Sequence, residues 1–104
     1  MKPPLSRGGL EGFDAKERVL RGTRHRRTLE GIFTRPTRGG IVFADIEALM
    51  LALGGEVREG EGSRIVFELH GKRNYLHRSH PGKEARKYQV EEIREWLQEL
   101  EVIP

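Results

Sequence analysis

Apolar residues recur at helical spacing in three stretches of this 104-residue chain. The clearest stretch precedes Gly54-Gly55, and it contains Phe43, Ile46, Leu49, Met50 and Leu53. These residues share one helical face and the glycines end the pattern, so the stretch predicts an amphipathic helix. Residues 23–33 predict a shorter helix that packs on the main domain and stops before Pro36. The third stretch, from about Gln89 to Glu101, predicts a closing helix with Trp96 in its apolar face.

Between Gly55 and the closing helix the apolar period changes from 3.6 to 2, which is typical of strands. A first short strand is predicted at Glu56–Glu59, before the polar turn 60–62. In the next strand Ile65, Phe67 and Leu69 alternate with Arg64, Val66 and Glu68. After a tight turn at His70-Gly71, Asn74 and Leu76 oppose Arg73, Tyr75 and His77. Because short loops favour antiparallel neighbours, we expect a two-layer α+β fold in the order α-β-β-β-α, with an extra N-terminal helix.

Three parts of the chain differ in character. Residues 1–22 are rich in proline and glycine around one short helical possibility at 14–20, and we interpret them as a flexible basic arm. Residues 23–40 hold the short helix and a linker, and residues 41–104 form the main domain.

Composition limits the function classes. With 36% apolar residues the chain supports one domain with a modest core, so a large internal active-site cavity is not expected. It lacks cysteine, a membrane span and a signal peptide, so we expect a soluble cytoplasmic protein without disulfides. Residues 1–40 carry ten Lys/Arg against four Asp/Glu, and residues 41–104 carry nine against twelve. This asymmetry is compatible with a polyanionic partner.

The order and spacing of three motifs resemble the HicA toxins of bacterial toxin–antitoxin pairs. The motifs are the run from Asp45 to Glu56, the Gly62-Ser63-Arg64 opening of a strand, and the segment from His77 to Glu84 before the closing helix. The resemblance spans roughly residues 41–104. It implies a double-stranded-RNA-binding-domain-like fold, cleavage of mRNA without a metal or other cofactor, and inhibition by a HicB-type antitoxin that covers the active site.

The resemblance also implies a catalytic histidine directly after the Gly-Ser pair, where this chain has Arg64. Cleavage through a 2′-hydroxyl needs a proton acceptor, and imidazole, with a reference pKa of about 6.5, suits that role. A guanidinium group has no accepting form near neutral pH, but it can hold a phosphate. We therefore interpret Arg64 as a phosphate contact, not a base.

Other residues are candidates for the same chemistry. Arg73, Tyr75 and His77 share one strand face, where the tyrosine could stack on a base. His77 and His80 could supply an acid and a base. The basic residues Lys83, Arg86 and Lys87 could contact the RNA backbone. For each of them an ordinary solvated surface role is the alternative.

Further alternatives stay open at this point. A chain that kept the fold but lost the base would bind nucleic acid without cutting it. His70, His77, His80 and Glu84 could surround a metal ion, although isolated histidines at such spacings are common by chance. The run from Arg24 to Arg27 could extend the RNA footprint or bind an acidic antitoxin. Finally, the four glutamates of the closing helix (Glu91, Glu92, Glu95, Glu99) could meet a basic protein.

Overall fold

A computed structural model describes residues 23–78 and 83–104. Within these ranges, three helices and three strands follow one another in the predicted order. They are α1 (Thr23–Phe33), α2 (Phe43–Ala52), β1 (Glu56–Glu59), β2 (Arg64–Leu69), β3 (Lys72–His77) and α3 (Lys87–Glu99). The α+β arrangement α-β-β-β-α, with an additional helix in front, is confirmed. The predicted arm, residues 1–22, lies outside the described residues.

The strands form one antiparallel meander in the order β1-β2-β3. His70 and Gly71 join β2 to β3 and both have positive φ, 53° and 77°, as a two-residue hairpin turn requires. The alternation of side chains along β2 is confirmed, because Ile65, Phe67 and Leu69 are buried. Helices α2 and α3 contact this face, and the opposite face carries no helix of the described chain.

Helix α2 ends as its glycines predict. Gly54 has φ of 90° and donates its N–H to Leu51 O, while Gly55 N–H reaches Met50 O. These two bonds form a Schellman motif, which satisfies carbonyls that the helix end would leave free. The start of α2 has no side-chain cap; instead, Phe43 N–H donates to Lys83 O at 2.9 Å. The loop before α3 is thereby fixed to the first turn of α2.

The boundaries of α3 differ from the predicted range by two residues at each end. Its start lies at Lys87 because Gln89, predicted as the first residue, accepts the backbone N–H of Arg86 through its side chain at 3.0 Å. Gln89 is therefore in the first turn, closing it. At the other end Glu101 takes a left-handed conformation, φ 62°, which ends the helix before it. Trp96 is buried in the apolar face of α3, as predicted.

The core lies between the sheet and the helices, and α1 is part of it. Leu29 and Ile32 of α1 are fully buried, and α1 packs against α2 and α3 without touching the sheet. At about 25 cal/mol per Å² of apolar surface, burying one such side chain stabilises the fold by roughly 1.5–3 kcal/mol. The prediction that this helix packs on the main domain is confirmed.

Candidate functional site

The uncovered face of the sheet brings together the strand residues singled out in the sequence. The register pairs Arg64 with His77, Val66 with Tyr75, and Glu68 with Arg73. Since paired residues of neighbouring strands point to the same side, all six side chains share this face. Tyr75 lies at the centre of this face and is 61% exposed. The predicted common face of Arg73, Tyr75 and His77 is confirmed, and Arg64 lies on it.

His77 is held at the end of β3 by contacts from two directions. The side-chain amide of Gln89, buried in α3, donates to His77 O at 2.6 Å. Ser63 Oγ lies 3.4 Å from His77 Nδ1, and Ser63 O accepts Arg78 N–H at 2.7 Å. In the tautomer with the ring proton on Nδ1, the N–H donates a hydrogen bond to Ser63 Oγ, and the lone pair of Nε2 can accept a proton. The arrangement can therefore present a proton-accepting nitrogen on the exposed face.

Arg64 stands directly across from His77 and has no ion-pair or hydrogen-bond partner for its guanidinium among the described residues. Its aliphatic stem lies close to Gly60, where an added side-chain carbon would meet Arg64 Cδ at 3.3 Å. The charged end is exposed. A cation in this position is available to an anionic ligand beside the imidazole.

The opposite end of the same face has its charges already paired. Arg58 donates from Nη2 and Nε to Glu56 at 2.6 and 2.9 Å, and Arg58 and Arg73 reach Glu68 Oε1 at 3.6 and 3.5 Å. The pKa of Arg58 is raised first by its hydrogen bond with Glu56. The pKa of Arg73 is raised first by a hydrogen bond with Tyr75 and then by the charge of Glu68. Arg73 is thus less free than Arg64 to meet a phosphate.

Arg78, which the sequence analysis did not single out, connects the His77 end of the sheet to α2. Its Nη2 and Nε lie 2.8 and 3.0 Å from Glu47 Oε2, and its Nη1 lies 3.4 Å from Glu59. The hydrogen bond with Glu47 raises the pKa of Arg78. Arg78 directly follows His77, so the bridge fixes the strand end that carries the imidazole. Ser63 was also missed as a site residue, since its contact depends on the strand register.

The basic residues just before α3 and in its first turn lie near the His77 end of the sheet. Lys83, Arg86 and Lys87 are all exposed. Glu84 forms an isolated bridge with Val42, and Lys83 O accepts Phe43 N–H, so this stretch runs beside the first turn of α2. His80, the second predicted catalytic histidine, lies outside the described residues.

The fold separates two of the four residues considered as ligands of a shared metal ion, His70 and His77. His70 occupies the hairpin turn and His77 the far end of β3, about 17 Å away at 3.3–3.4 Å per residue. The described residues contain no group of three His, Asp or Glu side chains that could hold a metal.

The fold and this face together define a small α+β domain of the double-stranded-RNA-binding-domain-like class, with basic and imidazole groups on an open sheet. The family model described as the HicA toxin of bacterial toxin-antitoxin systems matches residues 43–102. The match covers more than half of the chain, and the chain belongs to the HicA toxin family. Comparison with curated proteins and with solved structures gives no match.

Membership of this family assigns the chain the role of the toxin in a toxin–antitoxin pair, with a function directed in general at RNA and with an antitoxin as its partner. The matched segment begins at Phe43, so α1 lies outside it. In the described ranges, no helix has the length and apolar character needed to cross a membrane.

Proposed function

We propose that this toxin binds mRNA on the open sheet face and cleaves it without a metal, with His77 as the proton acceptor. The observation that carries the proposal is the juxtaposition of Arg64 and His77 on paired strands, with Ser63 Oγ 3.4 Å from His77 Nδ1. An exposed imidazole lies beside a cation that has no partner in the described part of the chain. Together they supply the two groups that attack by a 2′-hydroxyl needs: a base and a phosphate contact.

The proposed reaction is a transesterification within the RNA. His77 Nε2 takes the proton of the 2′-hydroxyl as its oxygen attacks the adjacent phosphorus, and the bond from phosphorus to the 5′-oxygen breaks. The products are a 2′,3′-cyclic phosphate and a 5′-hydroxyl, whose oxygen receives a proton from an acid. We assign the acid to His80, the other histidine predicted from the sequence. Arg64 holds the phosphate and offsets the charge that develops on its oxygens.

The surrounding residues have binding roles in this proposal. Tyr75 offers an exposed ring on which one base stacks. Arg73, Lys83, Arg86 and Lys87 contribute backbone contacts, Arg73 the least because Glu68 balances its charge. The antitoxin, which we take to be of the HicB type, would neutralise the toxin by covering this face.

A second candidate function rests on Arg64 itself. If the family's chemistry depends on a histidine at that position, this chain binds RNA and leaves it intact. The open face, with the exposed Arg64 and Tyr75, would serve binding equally well.

The deciding experiment incubates the purified toxin with labelled mRNA in the presence of EDTA and follows both cleavage and gel retardation. The variants are His77→Ala and Arg64→His, with His70→Asn as the matched control. His70 is also exposed, but it lies at the other end of β3, and asparagine suits the left-handed turn.

Loss of a general base lowers the rate by a factor of about 100 to 10,000, so His77→Ala should abolish detectable cleavage while His70→Asn retains it. Binding without cleavage by the parent, with activity gained by Arg64→His, would establish the second candidate instead. A toxin that neither retards nor cleaves mRNA would contradict both.

A further inference from the structure

The positive charge of this protein is concentrated outside the segment that the family shares. Residues 41–104 carry nine Lys/Arg and twelve Asp/Glu, a net charge of −3. Residues 23–40 carry five arginines and one glutamate, a net charge of +4. A polyanion is held largely through its phosphates, so a domain with a net negative charge is poorly equipped to retain a long RNA by itself.

Helix α1 and the segment that follows it form an open groove against α2. The groove has a volume of about 650 Å³, and three arginines (Arg24, Arg27, Arg38) line it together with Ile41 and two carboxylates, Glu30 and Asp45. Thr28, in the same wall, donates its hydroxyl to Arg24 O at 3.1 Å, inside α1. One wall of the groove is therefore a hydrogen-bonded turn of α1.

Two of the three arginines have no partner among the described residues. Arg24 Nη2 lies 3.0 Å from Asp45 Oδ1, so its charge is balanced. Arg27 and Arg38 are exposed and have no ion pair or hydrogen bond to another described residue. Two guanidinium groups in one groove, neither paired within residues 23–78 and 83–104, suit a ligand with several negative charges.

The groove and the His77 end of the sheet flank the first turn of α2. On one side of that turn, Asp45 and Val42 line the groove. On the other side, Glu47 accepts two hydrogen bonds from Arg78, next to His77. Lys87 extends the route to the groove, since a side-chain carbon on Gly39 would lie 3.6 Å from Lys87 Cε. One exposed cation, Lys87, thus lies next to the segment that borders the groove.

We propose that the α1 groove binds the backbone phosphates of the same RNA strand, beyond the nucleotides that contact the sheet. The inference rests on the proposed function, because it extends the path of the RNA bound there. Arg27 and Arg38 hold phosphates without regard to base identity and take no part in the proton transfers. An acidic polypeptide is the competing occupant, but the exposed Lys83 and Lys87, which lie beside the first turn of α2 and beside Gly39, favour one continuous polyanion.

The test uses 2′-O-methyl oligoribonucleotides, which keep the phosphates and lack the attacking hydroxyl. Two lengths, of about 4 and about 16 nucleotides, bracket the site sizes of small single-strand-binding domains. Fluorescence anisotropy gives Kd at several salt concentrations for the full chain, for Arg27→Gln/Arg38→Gln and for Arg26→Gln. Arg26 is an exposed arginine of α1 that does not line the groove, so its variant measures the effect of removing one positive charge elsewhere on this helix.

The double variant should bind the long oligomer about tenfold more weakly and lower the slope of log K against log salt by about 1.4, or 0.7 for each phosphate contact. The short oligomer should change by less than about twofold, and the Arg26→Gln protein should resemble the parent. Equal binding of the long oligomer by parent and double variant would overturn the inference while the proposed function stands.

Two other results would show either that the proposed function fails or that the groove binds a protein. If the parent binds neither oligomer, the proposed function fails and the inference with it. If the double variant keeps its affinity for RNA but no longer captures a co-expressed antitoxin, the groove is a protein-docking surface and the inference is wrong.

Discussion

Arg94, buried in α3, donates its Nε–H to the backbone carbonyl of Ile32 at 2.9 Å, across 62 positions of sequence. Its Nη2 also donates to Thr34 O at 3.2 Å and to Thr37 Oγ1 at 2.9 Å. All three acceptors are neutral oxygens at the end of α1 and in the segment after it. A single side chain of the family-matched domain therefore caps the additional helix, as a cation at a helix C-terminus does.

Replacing Arg94 with methionine should destabilise the protein by about 3 kcal/mol, because the buried oxygens of Ile32 and Thr34 lose their donor. Urea unfolding followed by circular dichroism measures the difference. Arg94→Lys should recover part of the loss, since an ammonium group reaches fewer of the acceptors. The exposed neighbour Glu95→Gln should stay within about 0.5 kcal/mol of the parent. A methionine variant as stable as the parent would show that α1 does not depend on this cap.

The adjacent glycines after α2 should respond differently to alanine. At Gly55 a side-chain carbon would lie 2.5 Å from Glu68 O, a backbone atom of the central strand, so Gly55→Ala should cost about 3 kcal/mol. At Gly54 the space is open and only the positive φ opposes alanine, at a cost of about 1 kcal/mol. Thermal and urea unfolding of both variants check this order; the reverse order would contradict the packing of α2 on β2.

The exposed tyrosines offer a matched pair for the proposed RNA-binding face. Tyr75, 61% exposed, lies on the open sheet, and Tyr88, 55% exposed, lies in α3. Tyr75→Ala should weaken the binding of single-stranded RNA about tenfold, since stacking of one base on an aromatic ring contributes about 1–3 kcal/mol. Tyr88→Ala should leave the Kd unchanged. Equal effects of the two substitutions in a titration with labelled RNA would remove the sheet face from the proposal.

Substitutions of Arg64 and Arg73 test whether an arginine that is already in an ion pair contributes less to RNA affinity than one that is not. The guanidinium of Arg64 has no partner among the described residues, while Arg73 Nε lies 3.5 Å from Glu68 Oε1. Arg64→Gln should therefore lower RNA affinity about tenfold and reduce the salt slope by about 0.7. The same change at Arg73 should cost less than about threefold. Filter binding over a range of salt concentrations measures both, and a larger effect at Arg73 would count against this division of the face.

Much of the fold could be predicted because its signals are local. The burial of Ile46 and Met50 follows from helical spacing, and that of Ile65 and Phe67 from strand alternation. The shared face of Tyr75 and His77 follows from the same alternation. The start of α3 was misplaced because Gln89 looks like any polar first residue, whereas its side chain closes the turn from the third position.

The contacts that position the candidate site are not local, and no periodicity reports them. Ser63 and His77 are 14 residues apart and meet only once the register of β2 and β3 is known. Glu47 and Arg78 are 31 residues apart and join a helix to a strand end. The sequence could name the imidazole as a candidate, but only the packed domain shows which hydroxyl and which cation lie beside it.

The burial of Leu29 and Ile32 shows that the packed core begins earlier in the chain than the family-matched segment does. The segment common to the family begins at Phe43, yet these two aliphatic side chains of α1 complete the packing surface of α2 and α3. A shortened toxin that began at the family boundary would display that aliphatic strip to water. It should then self-associate or be degraded before it reached an RNA. The segment that carries the family's function therefore depends on a helix outside that segment to stay soluble.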